Sequence, residues 1–240
     1  MQLNVNTEKS FHHEPIDLKY DDLVTDTQPT GRKYVTPDGT RYPSITTILS
    51  ILSEDAIAKW RARVGEEEAN KVSNRASGRG TRVHEALEHY VNNDGWQFVL
   101  DKYTPDIVQS VLSVKEQLDK SLTTVYGQEI ALYSDHLRIA GRVDCVGVFN
   151  GKPSIIDYKT SKKHKPRKYI ENYFCQEAAY AIMWEERTGM PITQLVTVIA
   201  VDEMQGAPGC QVVIEHRDNW TTKLMETIEL YEQRQNQRIG

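Results

Sequence analysis

Apolar positions along this chain change period part-way, and the change divides it into a helical first half and a strand-rich second half. Residues 1–30 are polar and show no sustained period, which predicts a mobile or surface-wrapped arm. GRKYVTPDGTRYPS (31–44) sets two short extended runs around Pro37-Asp38-Gly39, and Ser44 stands where an N-cap for ITTILSIL belongs. Helical spacing follows over 54–74 with Ile57, Trp60 and Val64, over 81–91 with Val83, Leu87 and Tyr90, and over 106–122. Strand signals then run through 126–134 and 141–159, and after a helix over 167–188 they return at 194–201 and 209–216. Asp218 is placed to cap a closing helix that reaches towards Arg238. Helices, three strands, a helix, two strands and a helix predict an α/β or α+β domain built on a mixed central sheet.

The stretch GRVDCVGVFNGKPSIIDYK (141–159) is the most informative. Asn150-Gly151 between alternating apolar flanks predicts a two-residue type I′ hairpin. If Phe149 pairs with Lys152, counting down the ladder sets Pro153 opposite Val148 and Asp144 opposite Asp157, with Lys159 on the same face as Asp157. Like charges facing each other destabilise a sheet. Two acids and an ammonium so placed suit a divalent cation, and the alternative is an exposed hairpin whose acids pair with Lys159 and Arg142.

Composition narrows the classes. At 240 residues the chain is expected to hold a single domain over 31–240, with a mainly helical part (31–122) and a core sheet with flanking helices (123–240), preceded by the 1–30 arm. No run of apolar residues is long enough to span a bilayer, and the first residues resemble no signal peptide, so a cytoplasmic protein without a membrane partner is expected. The three cysteines are scattered and lack CxxC spacing, which argues against a disulfide framework or a zinc site. A net charge of -5 does not mark a nucleic-acid binder, yet KTSKKHKPRK (159–168) carries six lysines or arginines in ten residues, Lys162 and Lys163 among them. Beside a carboxylate–metal site such a run would guide a polyanion; elsewhere it is a solvated loop.

Further candidates surround the hairpin. Glu129 joins the face of Asp144 if a tight turn at Ser134-Asp135 pairs it with Ala140, and a three-residue turn reverses that. His84 and Glu88 are one turn apart on a helix face; a solvated face and a metal-completing imidazole both satisfy the spacing. Gly78 and Gly80, with Arg75, Arg79 and Arg82 around them, fit either a phosphate-contacting helix entrance or a solvated one. Tyr169, Tyr173, Gln176, Tyr180 and Trp184 form one stripe, in which Gln176 and Tyr180 are placed to face the hairpin.

Taken together, GTRVHEALE (80–88), the Glu129 strand, GRVD (141–144) with IDYKT (156–160), and QEAAY (176–180) resemble the PD-(D/E)XK nuclease superfamily, in its RecB-like branch with the QxxxY helix. RYPSITTIL (41–49) further resembles the mitochondrial genome maintenance exonuclease group and its phage relatives, so phage encoding is one origin the resemblance admits. The resemblance implies a restriction-endonuclease-like mixed central sheet flanked by helices, with an N-terminal helical region that forms an arch for a single strand. It implies Asp144 and Asp157 as metal ligands, Lys159 as the catalytic lysine, His84 and the Tyr158 backbone carbonyl as further ligands, and Glu129 and Glu88 as supporting acids or second-metal ligands. Gln176 and Tyr180 are implied on the substrate side, where Arg79, Arg82, Lys162 and Lys163 are also expected. The proline of the superfamily's name is absent, since Val143 precedes Asp144. Implied in turn are a Mg²⁺- or Mn²⁺-dependent exonuclease acting on DNA with single-stranded or free ends, no iron-sulfur cluster, and a place in DNA repair or recombination. The alternatives are a structure-specific or restriction-like endonuclease and a non-catalytic DNA-binding module on the same fold.

Overall fold

Asn150 and Gly151 both take positive φ, 52° and 76°, as a type I′ turn requires. The ladder below them pairs Phe149 with Lys152 and Val148 with Pro153, and continues to Cys145 with Ile156. The computed structural model to which this hairpin belongs describes residues 9–239.

In chain order the first half holds β1 (His12–His13), β2 (Val24–Gln28), β3 (Gly31–Val35), β4 (Arg41–Pro43), α1 (Ile45–Ser50), α2 (Glu54–Val64), α3 (Glu66–Val91), α4 (Trp96–Lys102) and α5 (Pro105–Ser121). The second half holds β5 (Leu122–Ser134), β6 (Ile139–Phe149), β7 (Lys152–Lys163), a 3-10 turn (Arg167–Tyr169), α6 (Glu171–Thr188), β8 (Gln194–Met204), β9 (Ala207–His216) and α7 (Asp218–Ile239). Six strands in the order β1-β5-β6-β7-β8-β9 form the mixed central sheet, parallel at β1/β5 and β7/β8 and antiparallel elsewhere. This is the α/β class that the order of patterns predicts.

Alternation in β7 and β8 builds two cores. Ile155, Leu195 and Ile199 face α1, α6 and α7, whereas Ile156, Tyr158, Val196 and Val198 face α3 and α5. Strands buried on both faces read as near-continuous apolar runs, which is why QLVTVIAV has no polar side. Ser44 caps α1 as expected, its hydroxyl accepting the Thr47 N–H at 3.1 Å.

Several expectations need correction. Residues 1–8 of the expected arm lie outside the described residues; beyond them the segment is not free but mostly exposed chain wrapped on the surface, held where β1 pairs with β5, β2 pairs with β3, and Phe11 and Leu23 are buried. The helices read over 54–74 and 81–91 break instead at Gly65, whose φ of 88° no helix accommodates, and α3 runs unbroken through Gly78 and Gly80. No helix entrance exists there, because the cost of a glycine in a helix interior, about 1 kcal/mol each, is offset by the packing of Val83, Leu87 and Tyr90. Helix α4 lacked a legible pattern over its seven residues. Asp218 opens α7 rather than preceding it. Among the described residues no helix is long and apolar enough to cross a membrane.

Candidate active site

The site forms where β6 and β7 part. Their recorded pairing ends at Cys145↔Ile156, one step short of the counted Asp144–Asp157 pair. Beyond that point the Tyr158 N–H leaves the ladder and donates to Asp144 Oδ2 at 2.7 Å. The alternation of β6 slips at the same place: Val146 and Val143, three positions apart, both join the core under α6, while Cys145 joins the other. Asp144 is thereby turned towards α3, where His84 Nδ1 stands 3.4 Å from its Oδ1.

Glu129 arrives by a different register from the one expected. The β5–β6 turn spans four residues, 135–138, so Tyr133 rather than Glu129 pairs with Ala140. Gln128↔Cys145 and Ile130↔Val143 then set Glu129 across from Asp144. Glu129 has a φ of 48°, a left-handed conformation uncommon outside glycine, and its carbonyl accepts a hydrogen bond from Arg142 Nη1. Ligand atoms of His84, Glu129 and Asp144 all lie within 4.8 Å of one another. One imidazole nitrogen and two carboxylates so placed could hold a divalent cation.

Asp157 is fully buried and lies outside that triad. Its Oδ2 pairs with the Lys159 ammonium, and its Oδ1 accepts from Gln176 Nε2 at 3.2 Å. The same amide reaches the Tyr180 hydroxyl at 3.1 Å, one turn along α6. Lys159 also sits 5.1 Å from the centroid of the Tyr173 ring. Behind Asp157, its β8 neighbour Thr197 donates to the buried Glu177 carboxyl. Gly141 gives Tyr180 its place, since a Cβ there would meet the tyrosine Cε1 at 2.7 Å.

The electrostatics follow from crowding acids in a dry place. Burial, then the charge of Asp144, pushes Glu129 up to about 7. Burial likewise raises Asp157 to about 6 against the pull of Lys159. Burial would also raise Asp144, but His84, Lys159 and the Tyr158 N–H outweigh it and hold that carboxylate low. Burial would lower His84 and Lys159, and the acids beside them raise both instead.

A cleft of about 660 Å³ opens over these groups, lined by Asp144, Lys159, Gln176 and Tyr180 and walled by Arg32 and Arg142. Glu88 lines it as well. Four expected substrate contacts are elsewhere: Arg79 is paired with Asp202 and Ser110, Arg82 is exposed on α3, and Lys162 and Lys163 are exposed at the end of β7. Arg32 and Arg142 take their place on the wall. The signal for Arg142 was its position inside GRVD; Arg32, from the small β2-β3-β4 sheet, had none.

A family model described as the PD-(D/E)XK nuclease superfamily matches residues 93–238. This chain belongs to that superfamily. The matched stretch carries the PD-(D/E)XK strands and α6, whereas His84 and Glu88 on α3 precede it. Mitochondrial genome maintenance exonuclease 1 of Homo sapiens is 27% identical over 213 residues, 82% of this chain and 60% of the relative. The protein of that name in Xenopus tropicalis is 26% identical over 218 residues, with the same coverage of each. This PD-(D/E)XK chain thus spans about 60% of the length of those relatives. A solved structure from Eubacterium rectale, provisionally named an exonuclease, aligns over 65% of each chain with a TM-score of 0.42 and 11% identity.

Proposed function

We infer that this chain is a metal-dependent DNA exonuclease that hydrolyses phosphodiester bonds from single-stranded DNA or strand ends. The observation that carries the reading is the juxtaposition, in one cleft, of the His84–Glu129–Asp144 donors with Lys159, whose ammonium pairs with the buried Asp157 beneath it. A divalent cation bound there would supply Lewis acidity to the phosphate and lower the pKa of a water. His84, Glu129 and Asp144 would hold it, joined by Asp157 and the Tyr158 carbonyl, with Glu88 as a supporting acid. Mg²⁺ and Mn²⁺ both suit carboxylates with one imidazole.

The chain's own groups account for the rest. Lys159, kept protonated by Asp157 and Asp144, orients the attacking water and offsets charge that develops on the phosphoryl oxygens. Gln176 fixes Asp157 and reaches Tyr180, so the QxxxY helix holds the pair and faces the substrate. The exposed basic run after β7, with Lys162 and Lys163, guides the polyanion towards the cleft. We expect no iron-sulfur cluster, since Cys145 and Cys175 are buried in cores on opposite faces of the sheet. We read residues 31–240 as one nuclease domain, intracellular, with repair or recombination as its setting.

End-labelled single- and double-stranded DNA and circular single-stranded DNA, each with Mg²⁺ or Mn²⁺, test the reading. Digestion of linear DNA with circles left intact is expected. Cleaved circles would make the chain an endonuclease, and no hydrolysis under any condition would leave a binding module.

A further inference from the structure

The chemistry of the cleft raises a question of charge. Glu85, Glu88, Glu129 and Asp144 face the space that a phosphate backbone must enter, so cations on the wall have to receive it. Arg142 is built for that role but is already engaged. Its Nη1 donates to the Glu129 carbonyl, and its Nη2 lies 2.7 Å from both Asp22 oxygens. A second cleft, lined by Leu18, Tyr20 and Asp22, shares Arg142 and Glu129 with the first, so Arg142 stands at the junction of the two.

Asp22 is delivered there by a pinned segment. The Tyr20 hydroxyl donates to the Ala131 carbonyl at 2.9 Å, and Leu23 is buried against Tyr34, Ala131 and Ala140. Asp22 itself keeps 64% of its side chain exposed. A carboxylate gripped by a guanidinium presents two oxygens much as a phosphate does. A pair whose acid is this exposed, although its guanidinium keeps only 28% exposure, is weak enough for a multiply charged ligand to displace.

We propose that Arg142 binds a non-scissile phosphate of the substrate strand, and that Asp22 occupies Arg142 until that phosphate displaces it. The inference rests on the nuclease reading of the same cleft and assigns it a path: the strand passes the metal-ligand triad and continues over Arg142 into the second cleft. Arg142 is a positioning residue through its grip on the Glu129 carbonyl and a substrate-binding one through its freed Nη2.

Affinity for fluorescein-labelled oligo(dT), read by anisotropy in EDTA across a salt series, separates binding from hydrolysis. Asp22→Asn is expected to tighten binding about two- to fivefold. Asp21→Asn, the same charge change next door with no ion pair to Arg142, is expected to change it less. Arg142→Gln should weaken binding about tenfold and flatten the salt slope by about 0.7, the value of one single-strand phosphate contact. If Asp22→Asn matches Asp21→Asn, or Arg142→Gln keeps the wild-type slope, the proposal is overturned while the nuclease reading stands. If the wild-type chain binds no oligonucleotide and hydrolyses none, both fall.

Discussion

Asp144 accepts the main-chain N–H of Tyr158 at 2.7 Å across the point where β6 and β7 separate. That bond replaces a rung of the ladder with a side chain, and so opens the sheet just where the acids gather. Losing the charge at Asp144 and losing it at Asp157 should therefore have different structural costs. Asp144→Asn should lower hydrolysis at least about 100-fold, and because His84, Lys159 and the Tyr158 N–H hold the ionised carboxylate low it should cost stability in EDTA at neutral pH, with the relief of Glu129 offsetting part of that cost. Asp157→Asn should also abolish hydrolysis, but it strips the buried ammonium of Lys159 of its partner and should cost about 3 kcal/mol. Urea melts of the two variants beside their activities check the contrast; equal stability losses would refute it.

The metal-free protein should become less stable as pH rises. Glu129 at about 7, Asp157 at about 6 and the raised His84 each bind a proton more tightly folded than unfolded. Their contribution is complete below the ordinary carboxylate range and is lost as pH rises through the folded values, from about pH 4 to above 7. Asp144, held low, acts in the opposite sense only below its ordinary value of 3.8. The melting temperature in EDTA should thus fall between about pH 5 and 8, and Mn²⁺ should raise it more at the upper end. A metal-induced rise that is larger at low pH would contradict this.

Gly141→Ala should disturb the site without touching an acid. The added methyl would stand 2.7 Å from Tyr180 Cε1 and 3.0 Å from Ile45 Cγ2, both buried, so one must move. Overpacking of this kind costs about 1–3 kcal/mol, and a displaced Tyr180 gives up its bond with Gln176. Turnover is expected to fall with little change in metal affinity, which calorimetry and initial rates together would show.

Glu177 is buried completely, and burial, followed by the charge of Asp157, raises its carboxyl well above the ordinary carboxylate range, which favours the neutral acid. Glu177→Gln preserves the acceptor for Thr197 and removes no charge, so stability should change by less than about 1 kcal/mol. Glu177→Leu should cost more, because Thr197 would lose its acceptor. A large loss in the glutamine variant would mean that the carboxyl is ionised.

The hairpin turn, the strand–helix order and the facing of Gln176 and Tyr180 towards the hairpin were legible because each is local: a turn type fixed by Asn150-Gly151, a period, and a one-turn spacing on α6; that Gln176 would bond Asp157 itself was not. The register of Glu129 differs from the counted one because it depended on the length of a turn with no Gly or Pro to set it, yet the residue still reaches Asp144. The unbroken course of α3 through Gly78 and Gly80 reflects tertiary packing that outweighs propensity. Arg142 meeting Asp22 is a contact 120 residues apart in the chain, and no periodicity encodes it.

Strand β1 has only two residues, yet it lies outside β5 at the margin of the main sheet. The N–H groups of Glu14 and Ile16 extend its hold, donating to the carbonyls of Val125 and Tyr126 at 2.9 and 3.1 Å. An uncovered margin of a thirteen-residue strand is a template for a second chain. The short segment covers the first part of that margin, and a protein trimmed back beyond Ile16 is expected to leave the backbone groups of Thr124, Val125 and Tyr126 open to pairing.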